Sequence, residues 1–371
     1  MKKLLFILVF ALFALQSINA QEYRTYGQER FLVLSSSESA NCYIISRSGR
    51  FTFATVKGNS SKSVGEVASA SVLWESFGTD VAPNIGDLIN SVSYNDGYIY
   101  FQTADTFKEG NAVIAAKDAS GTILWSWHIW LTDQPQGQVY YNNAGTMMDR
   151  NLGATLATPG DVGALGLLYQ WGRKDPFLGS SSIHYDSKSE IKSTITWPSV
   201  VKSNSSNGTI AYATAHPTTF MTCNHSNWDW YYTGDSSTDN TRWTTSESTK
   251  SIYDPCPAGW RVPDGGDNGV WSKALGSSSD FYHYPYDSTN EGMNFSGKFG
   301  SASTIWYPAS GFRNSDDGSL VYVGYYGSYW SASPHNSYAY GLFFSSGGSG
   351  FPLNDFSRAY GHSVRCLQES K

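Results

Sequence analysis

The chain is poor in charge. Lys, Arg, Asp and Glu make up 15% of its 371 residues, against about a quarter in an ordinary soluble protein. With a formal net charge of -6 and no Lys/Arg cluster, it lacks the basic footprint that a nucleic-acid partner demands. Cysteine is scarce too: Cys42, Cys223, Cys256 and Cys366 form no CxxC spacing, which argues against zinc and thioredoxin-like chemistry. There is no HExxH, no GxSxG, no phosphate-cradling glycine loop and no Cys/His cluster, so the usual hydrolase and nucleotide signatures are missing. A glycosidase needs only a spatial pair of carboxylates. Glu75, Asp80, Asp229 and Glu291 are therefore simply available acids, and an enzyme is not expected. Nothing assigns a cofactor or a metal.

Long apolar runs are confined to the start. MKKLLFILVFALFALQSINA has two lysines, an apolar run from Leu4 to Leu15 and a polar stretch ending at Ala20. That is the order of a secretory signal, with cleavage expected between Ala20 and Gln21; the run is short for a membrane span. No cysteine follows it, so a lipid anchor is not supported. The expected mature chain is exported, has no transmembrane segment, and is long enough for two domains. Its four cysteines permit three pairings.

What the chain does have is aromatics, at 15%, and short β-branched or aromatic runs. CYIIS (Cys42 to Ser46), RFTFATV (Arg50 to Val56), SVLWE (Ser71 to Glu75), YIYFQT (Tyr98 to Thr103), NAVIAAK (Asn111 to Lys117) and TILWSWHIWL (Thr122 to Leu131) are separated by turn formers. Spacing near ten residues without helical periodicity predicts an antiparallel, Ig-like β-sandwich over 21–135. In the last run Ile123, Trp125, Trp127 and Ile129 alternate with Leu124, Ser126, His128 and Trp130. Core packing is the expectation for these rings, ahead of a binding platform.

Thr132 to Tyr141, polar and with Pro and Gly, is the expected inter-domain junction. After it, Asp161 is placed to cap a helix carrying Leu165, Leu167, Leu168 and Trp171 and ending at Gly172. A second helix is expected over Asp267 to Leu275. From about Gly179 to Ser251 runs a Ser/Thr/Asn-rich tract, too long for an idle connection in a compact domain. It holds the best candidate contact cluster: Asn227, Trp228, Asp229, Trp230, Tyr231 and Tyr232. Sugar C–H faces stack on rings, and Asp and Asn take up hydroxyls. Burial beneath loops is the competing reading. Acids in Gly-rich turns, Asp264, Asp267 and Asn268 with Asp316 and Asp317, suit calcium chemically, but their spacing favours a turn and a helix cap.

Several segments carry a family likeness. CPAGWRVP (Cys256 to Pro263), YWSAS (Tyr329 to Ser333), AYGLFF (Ala339 to Phe344) and GHSVRC (Gly361 to Cys366), with MDRNLGAT (Met148 to Thr155) and LLYQWGRKDPF (Leu167 to Phe177) upstream, resemble the Fibrobacter succinogenes major paralogous domain. That bacterial surface-protein family of Bacteroidota resembles C-type lectin-like folds. The likeness covers roughly Trp130 to Cys366. It implies a β-rich α+β protein whose lectin-like domain, 136–371, has two short helices and long loops, with recognition in the long tract and in Asn314 to Tyr326.

The resemblance also implies a Cys256–Cys366 bridge; whether Cys42 and Cys223 pair or stay as unpaired buried thiols is left open by the sequence. It gives Trp260, Trp330, Arg365, Gly259 and Gly361 framework roles, and Arg365 a buried carboxylate or carbonyl to hold. The calcium-dependent signatures of C-type lectins, EPN or QPD with a later WND, are absent. GHSVRC is similar to the last strand of the formylglycine-generating enzymes, but Cys366 has no neighbouring cysteine, so that likeness is one of shape. The implied role is a cell-surface or fimbrial adhesin, an accessory or tip subunit, binding host or bacterial glycan or a surface protein. The rival roles are an assembly subunit of a surface appendage and, more remotely, a glycan-active hydrolase.

Overall fold

Strand Ile123–Leu131 is buried along most of its length, and that fact organises the molecule. The computed structural model describes residues 21–36, 38–198, 200–223, 227–232, 240–244, 249–276, 285–347 and 350–370. The expected leader, 1–20, lies outside them. The protein is β-rich, with 38% strand and 5% helix. Among the described residues no helix is long and apolar enough to cross a membrane.

The first nine strands are β1 (Tyr23–Tyr26), β2 (Glu29–Val33), β3 (Cys42–Ile45), β4 (Arg50–Ala54), β5 (Ser69–Ser76), β6 (Ile89–Asn95), β7 (Tyr98–Thr103), β8 (Gly110–Lys117) and β9 (Ile123–Leu131). They form a five-stranded sheet, β1-β2-β4-β7-β6, and a four-stranded sheet, β3-β9-β8-β5. Between them lies a core of Phe51, Phe53, Ile99 and Phe101 from one sheet and Ile45, Ile114, Trp125, Trp127 and Ile129 from the other. The alternation read from the sequence thus places Trp125, Trp127 and Ile129 correctly. All six expected strands form. The pairing is not wholly antiparallel, because β2 runs parallel to β4 and β3 parallel to β9.

From Ser126 onward the other face of β9 is also buried. Trp130 joins Cys42, Trp74 and Val113 in one core with Met148, Leu167, Trp171, Trp243 and Trp330. Its Nε1 donates to the Ala154 carbonyl at 3.0 Å. Ser126 Oγ donates to Asp175 at 2.6 Å, and Lys174 Nζ donates to the Ser126 carbonyl at 3.0 Å. His128 Nε2 lies 2.9 Å from Asn111 Oδ1, and Asn111 Nδ2 donates to the Gly153 carbonyl. The expected junction is no slack linker: Thr132 is buried, and its hydroxyl donates to the Thr155 carbonyl.

The C-terminal half is built on the hairpins Tyr326–His335, Tyr338–Ser345 and Gly350–Ser357, with Gly361–Ser363 beside the first. A small sheet joins Gly145–Met148 to Leu367–Gln368 and Trp260–Arg261, tying the start of this half to its end. The Cys256–Cys366 disulfide, across a sequence separation of 110, reinforces the tie. Cys42 and Cys223 are buried free thiols. Trp330 is fully buried, its Nε1 donating to the Tyr169 carbonyl. Arg365 lies 3.8 Å over the Tyr307 ring and donates to the side-chain carbonyl of Asn151.

The helix expected after Asp161 does not form. Asp161 does cap, accepting from Gly163 N, but only a 3-10 turn, Val162–Ala164, follows. Gly166 breaks it at φ +74, and Leu168–Gln170 becomes a strand against Gly361–Ser363. The spacing of Leu165, Leu167 and Leu168 came from burial on all sides, which mimics an amphipathic stripe. The second expected helix is present as Val270–Leu275, with Gly269 at its N-cap and no side-chain cap. Asp264 pairs instead with Arg261 at 2.5 Å. A short helix, Ile210–Ala215, capped by Thr209, was not anticipated.

Candidate functional site

The six-residue cluster divides by burial. Trp230 is fully buried, and its indole donates to the Trp171 carbonyl at 2.8 Å. Asp229, also buried, pairs with Arg242 and lies 3.7 Å from Arg358. Asn227 is buried and turns the chain, its Oδ1 accepting from Asp229 N and its Nδ2 donating to the Tyr231 carbonyl. Tyr231 is half-buried. Trp228 and Tyr232 reach the surface, at 40% and 37% exposure. So Asn227, Asp229 and Trp230 build a support, and Trp228 is what it displays.

That display is strained. Trp228 holds φ +56, the left-handed region that Cβ-bearing residues avoid at a cost of roughly 1–2 kcal/mol. Its carbonyl accepts from Arg358 N at 2.9 Å and from Ser357 Oγ at 2.7 Å, and its ring stacks with Tyr338, 6.2 Å away and 21° from parallel. Arg358 Nε donates to the Tyr338 carbonyl, so one residue positions both rings.

The second stretch expected to carry recognition, Asn314 to Tyr326, has the same peculiarity. Tyr322 is 45% exposed at φ +58, its carbonyl accepting from Tyr325 N and Tyr326 N. Around it gather Tyr326 at 4.7 Å, Tyr325 at 6.0 Å and Phe312 at 5.6 Å, and Tyr185, 63% exposed, stands edge-on to Tyr325. The other described non-glycine residues at positive φ are all Asn, Asp or Glu. Trp228 and Tyr322 are the aromatic exceptions.

Beside the Asn314 to Tyr326 stretch opens a cleft of about 380 Å³ lined by Val200, Lys202, Thr222, Cys223, Asp316 and Asp317. Cys223 N donates to the Ser315 carbonyl, and Ser357 Oγ, which holds the Trp228 carbonyl, lies 3.9 Å from Cys223 Sγ. Tyr360 packs on Phe312, hydrogen-bonds Ser315 and lies near Asp316. The cleft bears acids, and neither Trp228 nor Tyr322 is among its lining residues. Burial pushes the Cys223 thiol up to about 11, so it offers no thiolate at neutral pH.

A slightly larger depression, about 430 Å³, lies against Ser35, Glu38, Ser39 and Asn59, and neither hollow has an aromatic lining residue. Two of the available acids are committed to structure. Glu75 accepts from the backbone N–H groups of Gly86, Leu88 and Ile89, and Asp229 is held by arginine. Among the described residues no group of three or more His, Cys, Asp and Glu is placed to hold a metal ion. The Tyr185–Tyr322–Tyr325 grouping was not foreseen, because Tyr185 is far from the others in sequence.

No family model matches the chain, and no curated protein or solved structure matches it either. The functional reading therefore rests on the geometry and on the sequence motifs.

Proposed function

We propose that this is an exported bacterial recognition protein, an adhesin in which an Ig-like sandwich over 21–135 presents a C-type lectin-like domain over 136–371. It binds glycan through the exposed rings of Trp228 and Tyr322, without turnover. The observation that carries the reading is that both rings are exposed while held in left-handed backbone, a strain that buried framework alone gives no reason to keep. Exposed rings suit the apolar C–H faces that sugars present for stacking. The leader-like start and the resemblance to the major paralogous domain family support the bacterial surface as the location, with a fimbrial accessory or tip position as one setting.

A glycan array run with and without chelator tests this. Retention of at least one glycan is expected, with loss in Trp228→Ala and Tyr322→Ala at an unchanged melting temperature. An array without any bound glycan overturns the proposal. The edge position of β1, paired on one side with β2, favours a second reading as an assembly subunit, since an open edge accepts a partner strand. Co-purification with other appendage subunits, in place of glycan binding, is the result that reading requires.

A further inference from the structure

Four tyrosines from two distant loops meet at one place. Tyr185 stands edge-on to Tyr325 at 5.3 Å; Tyr325 lies 4.5 Å from Tyr326 and 6.0 Å from Tyr322, and Tyr322 lies 4.7 Å from Tyr326. The backbone fixes the two loops to each other. Asp186 N donates to the Val323 carbonyl at 2.8 Å. Gly324, at φ +69, sits so close that a Cβ there would meet the Ile183 carbonyl and Tyr185 N at 2.6 Å, and its own carbonyl accepts from Tyr286 Oη at 2.7 Å. Tyr185 and Tyr322 are 63% and 45% exposed, and Tyr325 and Tyr326 are half-buried between solvent and the fold. The group is therefore held in place while open to solvent, and none of the four lines the hollow at Ser39 or the one at Cys223.

Resting on the glycan reading above, we infer that this tyrosine platform takes an extended polysaccharide, gripped along its chain, and not a single terminal sugar. A site for one small ligand is concave and buries most of that ligand's surface. Rings open to solvent cover one face of a sugar, and each such contact strengthens binding by only about two- to tenfold. Useful affinity then requires several rings to act on one chain, each later contact being intramolecular once the first has formed. Tyrosine suits the task, because its rigid ring loses little conformational freedom and its hydroxyl exchanges hydrogen bonds with sugar hydroxyls. Tyr185 joins the group through Tyr325, so Tyr185 and Tyr322 serve different sugars of the same chain.

The test screens soluble mannan, xylan, β-glucan and galactan by retardation of the full chain in affinity gels, beside the glycan array. Oligomers of the retarding polymer, from the single sugar to the hexamer, are then titrated into wild type and Tyr185→Ala. Tyr185 is mostly exposed, so the variant should keep the wild-type melting temperature. The hexamer is expected to bind wild type at least about tenfold more tightly than the single sugar, and Tyr185→Ala to weaken the hexamer by about threefold or more while leaving the shortest binding oligomer unchanged. Affinity that does not grow with chain length, a hexamer indifferent to Tyr185→Ala, or array binding without retardation by any polymer overturns this inference and leaves glycan recognition standing. Neither retardation nor any bound glycan on the array removes both.

Discussion

His362 lies edge-on to Trp330, ring centroids 4.5 Å apart, and neither of its ring nitrogens has a hydrogen-bond partner among the described residues. Phe312, Phe356 and Tyr360 complete the aromatic surround. Burial pushes its pKa down to about 3, and that of His128 likewise to about 3. Below pH 6.5 the unfolded chain takes up protons that the folded chain refuses, so the contribution of each histidine is intact above pH 6.5 and is lost as pH falls toward 3. Each loss approaches about 1.4 kcal/mol per pH unit. Asp254, whose carboxyl burial raises to about 6, works in the opposite sense between pH 6 and 4 and offsets about one histidine. Denaturant midpoints should therefore fall from pH 7 to pH 5, and His362→Phe should flatten the slope. An unchanged slope in that variant contradicts the argument.

The Cys256–Cys366 bridge closes a loop of 110 residues in the unfolded chain, a constraint worth about 4–5 kcal/mol by loop entropy. The paired Cys256→Ala/Cys366→Ala variant should lose most of that in urea unfolding, and a loss below about 1 kcal/mol counts against the clamp. Native alkylation should label neither Cys42 nor Cys223, because burial raises both thiols. Denatured protein should take two labels before reduction and four after.

Asp229→Asn removes the carboxylate facing Arg242 and Arg358, all three side chains being at most 6% exposed. Breaking a buried pair this way costs about 3–5 kcal/mol. A thermal midpoint within error of wild type shows that the guanidinium groups are satisfied without Asp229.

Trp228→Gly and Tyr322→Gly separate display from folding. Glycine relieves the left-handed strain but adds freedom to the unfolded chain, so stability should stay within about 1 kcal/mol while glycan binding falls below detection. A large loss of stability in both assigns the rings to the framework.

Much of the β structure was legible because alternation reports directly on sheet faces. In β9 the pattern of Trp125, Trp127 and Ile129 against Ser126, His128 and Trp130 gave both faces correctly, and the expectation of core packing held for the rings. What a period of two does not reveal is which body covers the second face, and here it is the C-terminal half. The Leu165 to Trp171 stretch misled for a related reason: residues buried on every side show helical spacing without being helical, and the signal against a helix was Gly166. In the candidate cluster, ring-plus-amide composition did not separate support from display. Trp230 is buried and Trp228 is exposed on left-handed backbone, a difference that composition does not report.

From β9 to the next strand, Gly137–Tyr140, only five residues intervene, and the first of them, Thr132, is fastened at both its backbone and its hydroxyl. Traction applied through the amino-terminal sheets meets no hinge at that crossing. Before the crossing could lengthen, the tryptophan packing behind β9 would have to shear, so a tethered molecule would hold its cleft at a fixed attitude under flow.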